Sequence, residues 1–284
     1  MILVDLNQVL ISNFMAQTRG KSEPNIDIFR HMVLNSIRGY NLKFKKKYGQ
    51  QILCADSANP WRRELFPNYK YQRKQVRLET QEVSDKWDDL FDVITEVKQE
   101  IAKNLPYMVL SIDHAEADDI IAIMAREAHN LGEPCMIISG DKDFIQLQKY
   151  EVVKQYSPIQ KKFVGTDIDP IVFLHEQIIK GDRSDGIPNI LSDDNVFVTG
   201  EKQQPINKKR LEEWSKLDNI PLGSITRLNY QRNKKLIDLE EIPVDIQENI
   251  INMYRSYEIP NRSNLLQYFM DNKLKSLMTN INDF

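Results

Sequence analysis

Short apolar runs at residues 2–5, 51–55, 107–112 and 135–139, each separated from the next by stretches of helical periodicity, constrain this chain more than any other feature. Runs such as Ile2-Leu3-Val4 and Met136-Ile137-Ile138 are apolar without alternation, the pattern of strands buried on both faces, and long helical connections between them favour parallel pairing. Ile26, Phe29, Val33, Ile37, Tyr40 and Phe44 recur at steps of three and four, which predicts one crossover helix between the first two strands. Further amphipathic helices are predicted over 85–103 and 115–131. The runs 152–156 and 161–164 read as a hairpin turning at Ser157-Pro158. The expected class is α/β, a mostly parallel central sheet flanked by helices over residues 1–166. From there the pattern changes to helices near 170–180, 207–217, 244–257 and 264–271, a helical domain over 167–284.

No run approaches the roughly 18 apolar residues that a membrane span needs. The start has no basic n-region, so a cytoplasmic chain with no membrane partner is expected. Cys54 and Cys135 each sit inside an apolar run and read as reduced core residues. The formal net charge of -3 argues against a phosphate-rich partner only until its distribution is considered. Arg62, Arg63, Lys70, Arg73, Lys74 and Arg77 face a single Glu64, and a second basic stretch runs from Lys202 to Lys235 with Lys208, Lys209 and Arg210 at its centre. The first lies in residues 57–84, a stretch too long for an ordinary connection, read as a mobile or partly helical segment. Trp61, Tyr69 and Tyr71 among those cations favour contact with a single strand.

The strands end in acid. Asp5 and Asp56 follow the first two, Glu116, Asp118 and Asp119 open the helix after the third, Asp141 and Asp143 follow the fourth, and Asp182 and Asp185 lie just beyond the helix at 170–180. In a parallel sheet these arrive at one carboxyl edge, where open α/β sheets carry their sites. Taken singly, each acid can be a helix cap or an Asx turn. Together they repel one another and call for a cation. An oxygen-only donor set, with the histidines scattered, favours magnesium or manganese over zinc. Two such ions can clamp the attacking water and leaving oxygen of a phosphodiester hydrolysis.

The motifs Val4-Asp5-Leu6-Asn7, Asp56, Glu116-Ala117-Asp118-Asp119, Gly140-Asp141-Lys142-Asp143-Phe144 and Gly181-Asp182-Arg183-Ser184-Asp185-Gly186-Ile187-Pro188 stand in the order found in the structure-specific 5′ nucleases. The chain resembles that family of flap endonucleases and 5′→3′ exonucleases over nearly its whole length. Trp61-Arg62-Arg63, Tyr156-Ser157-Pro158, Leu277 and the ending Ile281-Asn282-Asp283-Phe284 resemble its branch of phage enzymes with RNase H activity. The resemblance implies a basic arch at about 57–84 and a helical domain gripping duplex through a helix-two-turn-helix-like element. It places Asp5, Asp56, Glu116, Asp118 and Asp141 mainly in a first magnesium site and Asp119, Asp143, Asp182 and Asp185 mainly in a second, with manganese as a substitute. Lys70 and Arg73 would join Asp5, Asp56, Asp118, Asp141 and Asp143 in catalysis. Nucleic acid would be held by Arg62, Arg63, Tyr69, Lys70, Arg73, Lys74 and Arg77 of the arch, and by Lys208, Lys209 and Arg210. Implied substrates are RNA–DNA hybrids and flapped, nicked or gapped duplex DNA, with a single-strand-binding protein and a sliding clamp as replication partners. A monomer suffices for this chemistry.

Two other readings address the same residues. An aspartyl phosphatase would carry a second Asp two positions after its nucleophile, where Asn7 stands. A non-catalytic structure-specific DNA-binding protein with a vestigial site would have no reason to keep every proposed ligand position acidic.

Overall fold

The computed structural model describes residues 1–18, 25–77, 81–165, 167–216 and 223–284. Its strands are β1 Ile2–Asp5, β2 Gln51–Cys54, β3 Met108–Leu110, β4 Cys135–Ile138, β5 Val153–Ser157 and β6 Lys162–Val164, ordered β3-β2-β1-β4-β5-β6 in one sheet. All pairings are parallel except β5 with β6, the hairpin expected from the sequence. β1 lies at the centre, and Ile2, Leu3 and Val4 are wholly buried because both faces of the sheet are covered. Alternate residues serve opposite cores: Ile2, Val4, Leu53 and Ile138 face one, and Leu3, Ile52, Cys54 and Ile137 the other. Cys54 and Cys135 are free and buried.

The crossover expected as one helix is two, α1 Leu6–Gln17 and α2 Ile26–Tyr48. α1 follows β1 without a loop, because Asp5 both ends the strand and caps the helix through the Gln8 N–H. Its buried face of Leu6, Val9, Leu10 and Phe14 is blurred in sequence by the exposed Ile11 and Met15. In the 57–84 segment, α3 Arg62–Leu65 and α4 Tyr71–Arg77 are helical, and 78–80 fall outside the described residues. Of the two alternatives expected, mobile or partly helical, the second is met, and the base of the segment is fixed by the burial of Trp61, Arg62, Phe66 and Tyr69. α5 Gln81–Asn104 packs on the first face of the sheet through Leu90, Val97 and Ile101, and α6 Ala117–Asn130 on the second.

Beyond β6 come α7 Pro170–Lys180, α8 Val196–Thr199, α9 Lys208–Trp214 and α10 Ser224–Ile237. Their small apolar clusters include Leu174, Ile178 and Ile237 with Phe66 and Tyr69, and Ile179, Ile190 and Leu211. α10 escapes a reading of that stretch as simply basic. Where a helix-two-turn-helix-like element was expected, the partner after α7 is only the single turn of α8. The backbone there is held instead by Asn189, whose amide donates to the Gln204 carbonyl and whose Oδ1 accepts from the Leu191 N–H. The chain then returns to the sheet. α11 Val244–Ser256 lays Ile246 and Ile250 on the second face, while α12 Ser263–Asp271 and α13 Lys275–Met278 bring Leu265, Phe269 and Leu277 to the first. Among the described residues no helix is long and apolar enough to cross a membrane.

Candidate active site

Each acid at the carboxyl edge is oriented by local bonds that leave it facing its neighbours. Asp5 accepts from the Gln8 N–H at 2.9 Å and from the Ser139 hydroxyl at 3.1 Å. Asp56 accepts from the Ala117 N–H, the first of α6, at 2.7 Å, and from the Asn7 amide at 2.8 Å. Asp141 turns its own chain by accepting from the Asp143 N–H at 3.0 Å. The cap and Asx-turn readings therefore hold at Asp5 and Asp141, and the convergence holds as well. Asp118, in the first turn of α6, has no hydrogen-bond partner among the described residues and stands against Asp141 and Asp5.

A second group approaches from the helical side. Asp143 accepts from the Gln177 amide of α7 at 2.5 Å. Asp182 accepts from the Ser184 N–H and hydroxyl, both at 2.7 Å. Asp185 accepts from the Tyr69 hydroxyl at 3.0 Å and pairs with Arg73 at 2.6 Å. Asp118, Asp143, Asp182 and Asp185 line a cavity of about 20 Å³. That is room for about one water-sized body.

The base of the arch reaches these acids from the other side. Lys70 pairs with Glu116 at 2.5 Å and lies 3.8 Å from Asp185, and its N–H donates to the Asp185 carbonyl at 2.8 Å. Lys70 holds φ at 57°, a left-handed conformation uncommon for a residue with a side chain. Gly186 has φ +73°, and a Cβ there would meet the Asn68 carbonyl oxygen at 2.8 Å. The acidic turn and the arch base are in backbone contact, which only glycine allows at that point.

Arg62 and Tyr69, expected on a nucleic-acid surface, instead point inward. Arg62 is 3% exposed, pairs with Glu116 at 3.0 Å and Asp119 at 2.8 Å, and donates to the Leu236 carbonyl of α10 at 2.9 Å. Tyr69 donates to Glu116 at 2.9 Å as well as to Asp185. Asp119, expected to serve a second metal site, is wholly buried and also accepts from the Trp61 indole at 3.2 Å and the Glu116 N–H at 2.9 Å. An arginine among apolar neighbours needs carboxylates to neutralise it, and Glu116 and Asp119 do so here. Trp61 is buried too, so neither it nor Tyr69 offers the stacking face expected of it. Arg63, Lys208, Lys209 and Arg210 are exposed, Arg73 is half-exposed, and the side chains of Lys74 and Arg77 lie outside the described residues. Asn7 stood in the Val4-Asp5-Leu6-Asn7 motif without an orienting role, whereas Ser139, Gln155 and Gln177 carried no sequence signal beyond lying next to strand ends or in a helix.

The electrostatics divide the acids. Burial, with Asp56 and Asp141 nearby, pushes Asp5 up to about 7. Burial, then Asp141 and Asp182, does the same to Asp143, also to about 7. Asp118 is raised well above the carboxylate range by burial and by Asp141 and Asp5. Burial would raise Glu116 as well, but Lys70 and Arg62 hold it at about 2. Among the described residues no three acids close around one point as a ready-made cage. The donor set nevertheless fits a hard divalent cation, because Asp5, Asp118, Asp141 and Asp143 cannot all ionise beside one another and have no ion-pair partner among the described residues.

A stability test follows from these shifts. An acid whose pKa rises on folding stabilises the fold below its ordinary value, and that contribution is lost as pH rises through the folded value. With Asp5 and Asp143 moved from 3.8 to about 7, the melting temperature in chelating buffer is expected to fall between those values. Glu116 acts oppositely and lower, losing its contribution as pH falls from 4.5 toward about 2. Added magnesium should raise the melting temperature more at pH 8 than at pH 5. Equal effects at both would mean that the acids do not repel one another as described.

Comparison with known proteins matches residues 1–172 to the model of the 5′-3′ exonuclease N-terminal resolvase-like domain and residues 168–284 to that of the T4 RNase H C-terminal domain. The ribonuclease H of Enterobacteria phage T4 is 33% identical, over 99% of this chain and 95% of its own. Among solved structures, T5 D15 protein co-crystallised with metal ions superposes with a TM-score of 0.68 at 17% identity, covering 90% of this chain and 99% of that one. The T5 D15 flap endonuclease in a pseudo-enzyme-product complex with DNA and metal ions gives 0.62 at 16% identity, with the same coverage. At those identities the likeness establishes the fold.

Proposed function

The chain belongs to the 5′-3′ exonuclease family, and from that membership we propose that it is a magnesium-dependent phosphodiesterase acting at 5′ ends. Its substrates on this reading are RNA–DNA hybrids and nicked, gapped or flapped duplex DNA, cut as a 5′→3′ exonuclease and flap endonuclease. The biological task is removal of lagging-strand RNA primers in phage DNA replication, in the host-cell cytoplasm, beside a sliding clamp and a single-strand-binding protein. The observation that carries the reading is the set of half-buried aspartates facing one another across the Asp118–Asp143–Asp182–Asp185 cavity. The relatives support it: one is named ribonuclease H, and a fold neighbour is a flap endonuclease complexed with DNA and metal ions.

Asp5, Asp56, Asp118 and Asp141 would hold one magnesium ion, and Asp143, Asp182 and Asp185 a second. Bound there, magnesium supplies charge neutralisation at the scissile phosphate and a water acidic enough to attack at neutral pH. The chain's own residues do the positioning. Asn7 and Ser139 fix the carboxylates of Asp56 and Asp5, and Gln177 fixes Asp143. Lys70 and Arg73 stand beside the acids and present positive charge to a phosphate entering between arch and sheet. Arg63 and the Lys208-Lys209-Arg210 run offer sequence-independent backbone contacts.

The test is a magnesium titration of cleavage on a duplex carrying a 5′-labelled RNA–DNA strand with a short flap. Short labelled products, absent with chelator, are expected. Binding without cleavage in either magnesium or manganese would overturn the reading in favour of a DNA-binding protein. In the same assay Lys70→Ala should slow cleavage about a hundredfold while duplex affinity barely changes. Equal losses in rate and affinity would make Lys70 a simple anchor.

A further inference from the structure

β5 and β6 present a surface that the proposed chemistry does not use. Their hairpin is fixed to the acidic turn, since the Gln155 amide donates to the carbonyls of Ser139 at 3.0 Å and Asp141 at 2.5 Å. The Gln148 amide, in turn, donates to Gln155 Oε1 and to the Val164 carbonyl. A Cβ on Gly140 would lie 3.0 Å from the Ser157 hydroxyl, so the two turns touch. Phe163 pairs across the ladder with Tyr156, Lys154 lies two residues before Tyr156, and Lys161 two before Phe163. The pleat therefore puts Lys154, Tyr156 and Phe163 on one face, and the exposed Lys161, at φ 54°, closes the turn that leads into β6.

That face is open and positive. Phe163 is 61% exposed, with its ring edge-on to Tyr156 at 5.7 Å, and Lys43 of α2 extends the patch, its Nζ 3.6 Å from the Tyr156 ring centre. No acidic residue occurs between 152 and 166. Among the described residues neither Lys154 nor Lys161 has an ion-pair partner. Lysines on an edge strand block its pairing with another sheet, but that duty is worsened, not helped, by an exposed phenylalanine. An aromatic face beside unpaired lysines, next to the turn bearing Asp141, is the arrangement that binds bases by stacking and their phosphates by charge.

We infer that the β5–β6 hairpin is a second nucleic-acid contact, gripping single-stranded substrate next to the active site with a base on Phe163 and flanking phosphates on Lys154 and Lys161. The inference rests on the nuclease reading above. It is tested by anisotropy of a labelled single-stranded oligonucleotide and of a blunt duplex in chelating buffer, alongside the cleavage assay. Phe163→Ala and Phe163→Leu should each weaken single-strand binding about tenfold without changing its salt dependence. Lys154→Ala with Lys161→Ala should reduce the slope of log affinity against log salt by about 1.4, two single-strand phosphates' worth. Blunt-duplex affinity and melting temperature should not move. If wild type cleaves and binds but the variants match it, the hairpin contact is overturned while the nuclease reading stands, and the patch is left to an acidic protein partner. Equal losses on blunt duplex would overturn the single-strand assignment. Absence of both cleavage and binding in wild type would overturn the nuclease reading and this inference with it.

Discussion

Asp118→Asn is expected to abolish cleavage and, at the same time, to raise the melting temperature. The carboxylate stands against Asp141 and Asp5, with its pKa driven upward by burial and by both neighbours. The amide is the same size and removes a charge that the fold tolerates only with difficulty, so the variant should melt a few degrees higher at pH 8 in chelating buffer. Function should move the other way. On the proposed metal-dependent reading, exchanging an anionic ligand for a neutral amide at the centre of the site would remove several kcal/mol of barrier lowering, about a thousandfold or more in rate. Substrate affinity, carried by cations elsewhere, should persist. Cleavage near the wild-type rate would remove Asp118 from the catalytic set. An unchanged or lower melting temperature would show that the acids do not strain one another.

Arg62→Ala should have the largest effect on stability. Its guanidinium is buried, pairs with both Glu116 and Asp119, and reaches the carbonyl of Leu236, tying the start of α6 to the end of α10 through the arch base. Removing one side of a buried pair leaves charges unpaired at a cost of about 3–5 kcal/mol. For a chain of this size the melting temperature should drop by roughly 10 °C. Arg62→Lys, which keeps the charge without the fork, should recover part of the loss. Combining Arg62→Ala with Asp119→Asn should be less damaging than the two losses added, because they share one interaction. A drop within a degree or two of wild type would mean that Arg62 is solvated and the network is not closed.

The sheet was legible because its signal is local. Unbroken apolar runs such as Ile2-Leu3-Val4 mean two buried faces wherever they occur, and the acids that follow them inherit one edge from parallel pairing. What was not legible depends on long-range packing. Arg62 and Arg63 are adjacent and chemically identical, yet one is sealed under α10 and the other faces solvent. Nothing within a few residues of either marks the difference, since the partners Glu116, Asp119 and Leu236 are distant in sequence. α1 was hidden for the opposite reason, because strand end and helix cap fall on the single residue Asp5, leaving no loop to announce a new element. At Asp5 and Asp141 a structural duty and a chemical one were weighed as rivals, yet a carboxylate has two oxygens and is able to serve both.

The return of α11, α12 and α13 to the sheet sets the terms on which this chain could exchange parts with a relative. A substrate-gripping module carried as a tail could be cut near residue 166 and grafted elsewhere. Here that cut would strip Leu239, Ile246 and Ile250 from one wall of the sheet and Leu265, Phe269 and Leu277 from the other. The transferable unit is the excursion from α7 to α10, which leaves and re-enters beside the acidic edge. A chimera that keeps a folded nuclease must therefore cross over twice, and new grips on nucleic acid would be acquired as insertions rather than as appended domains.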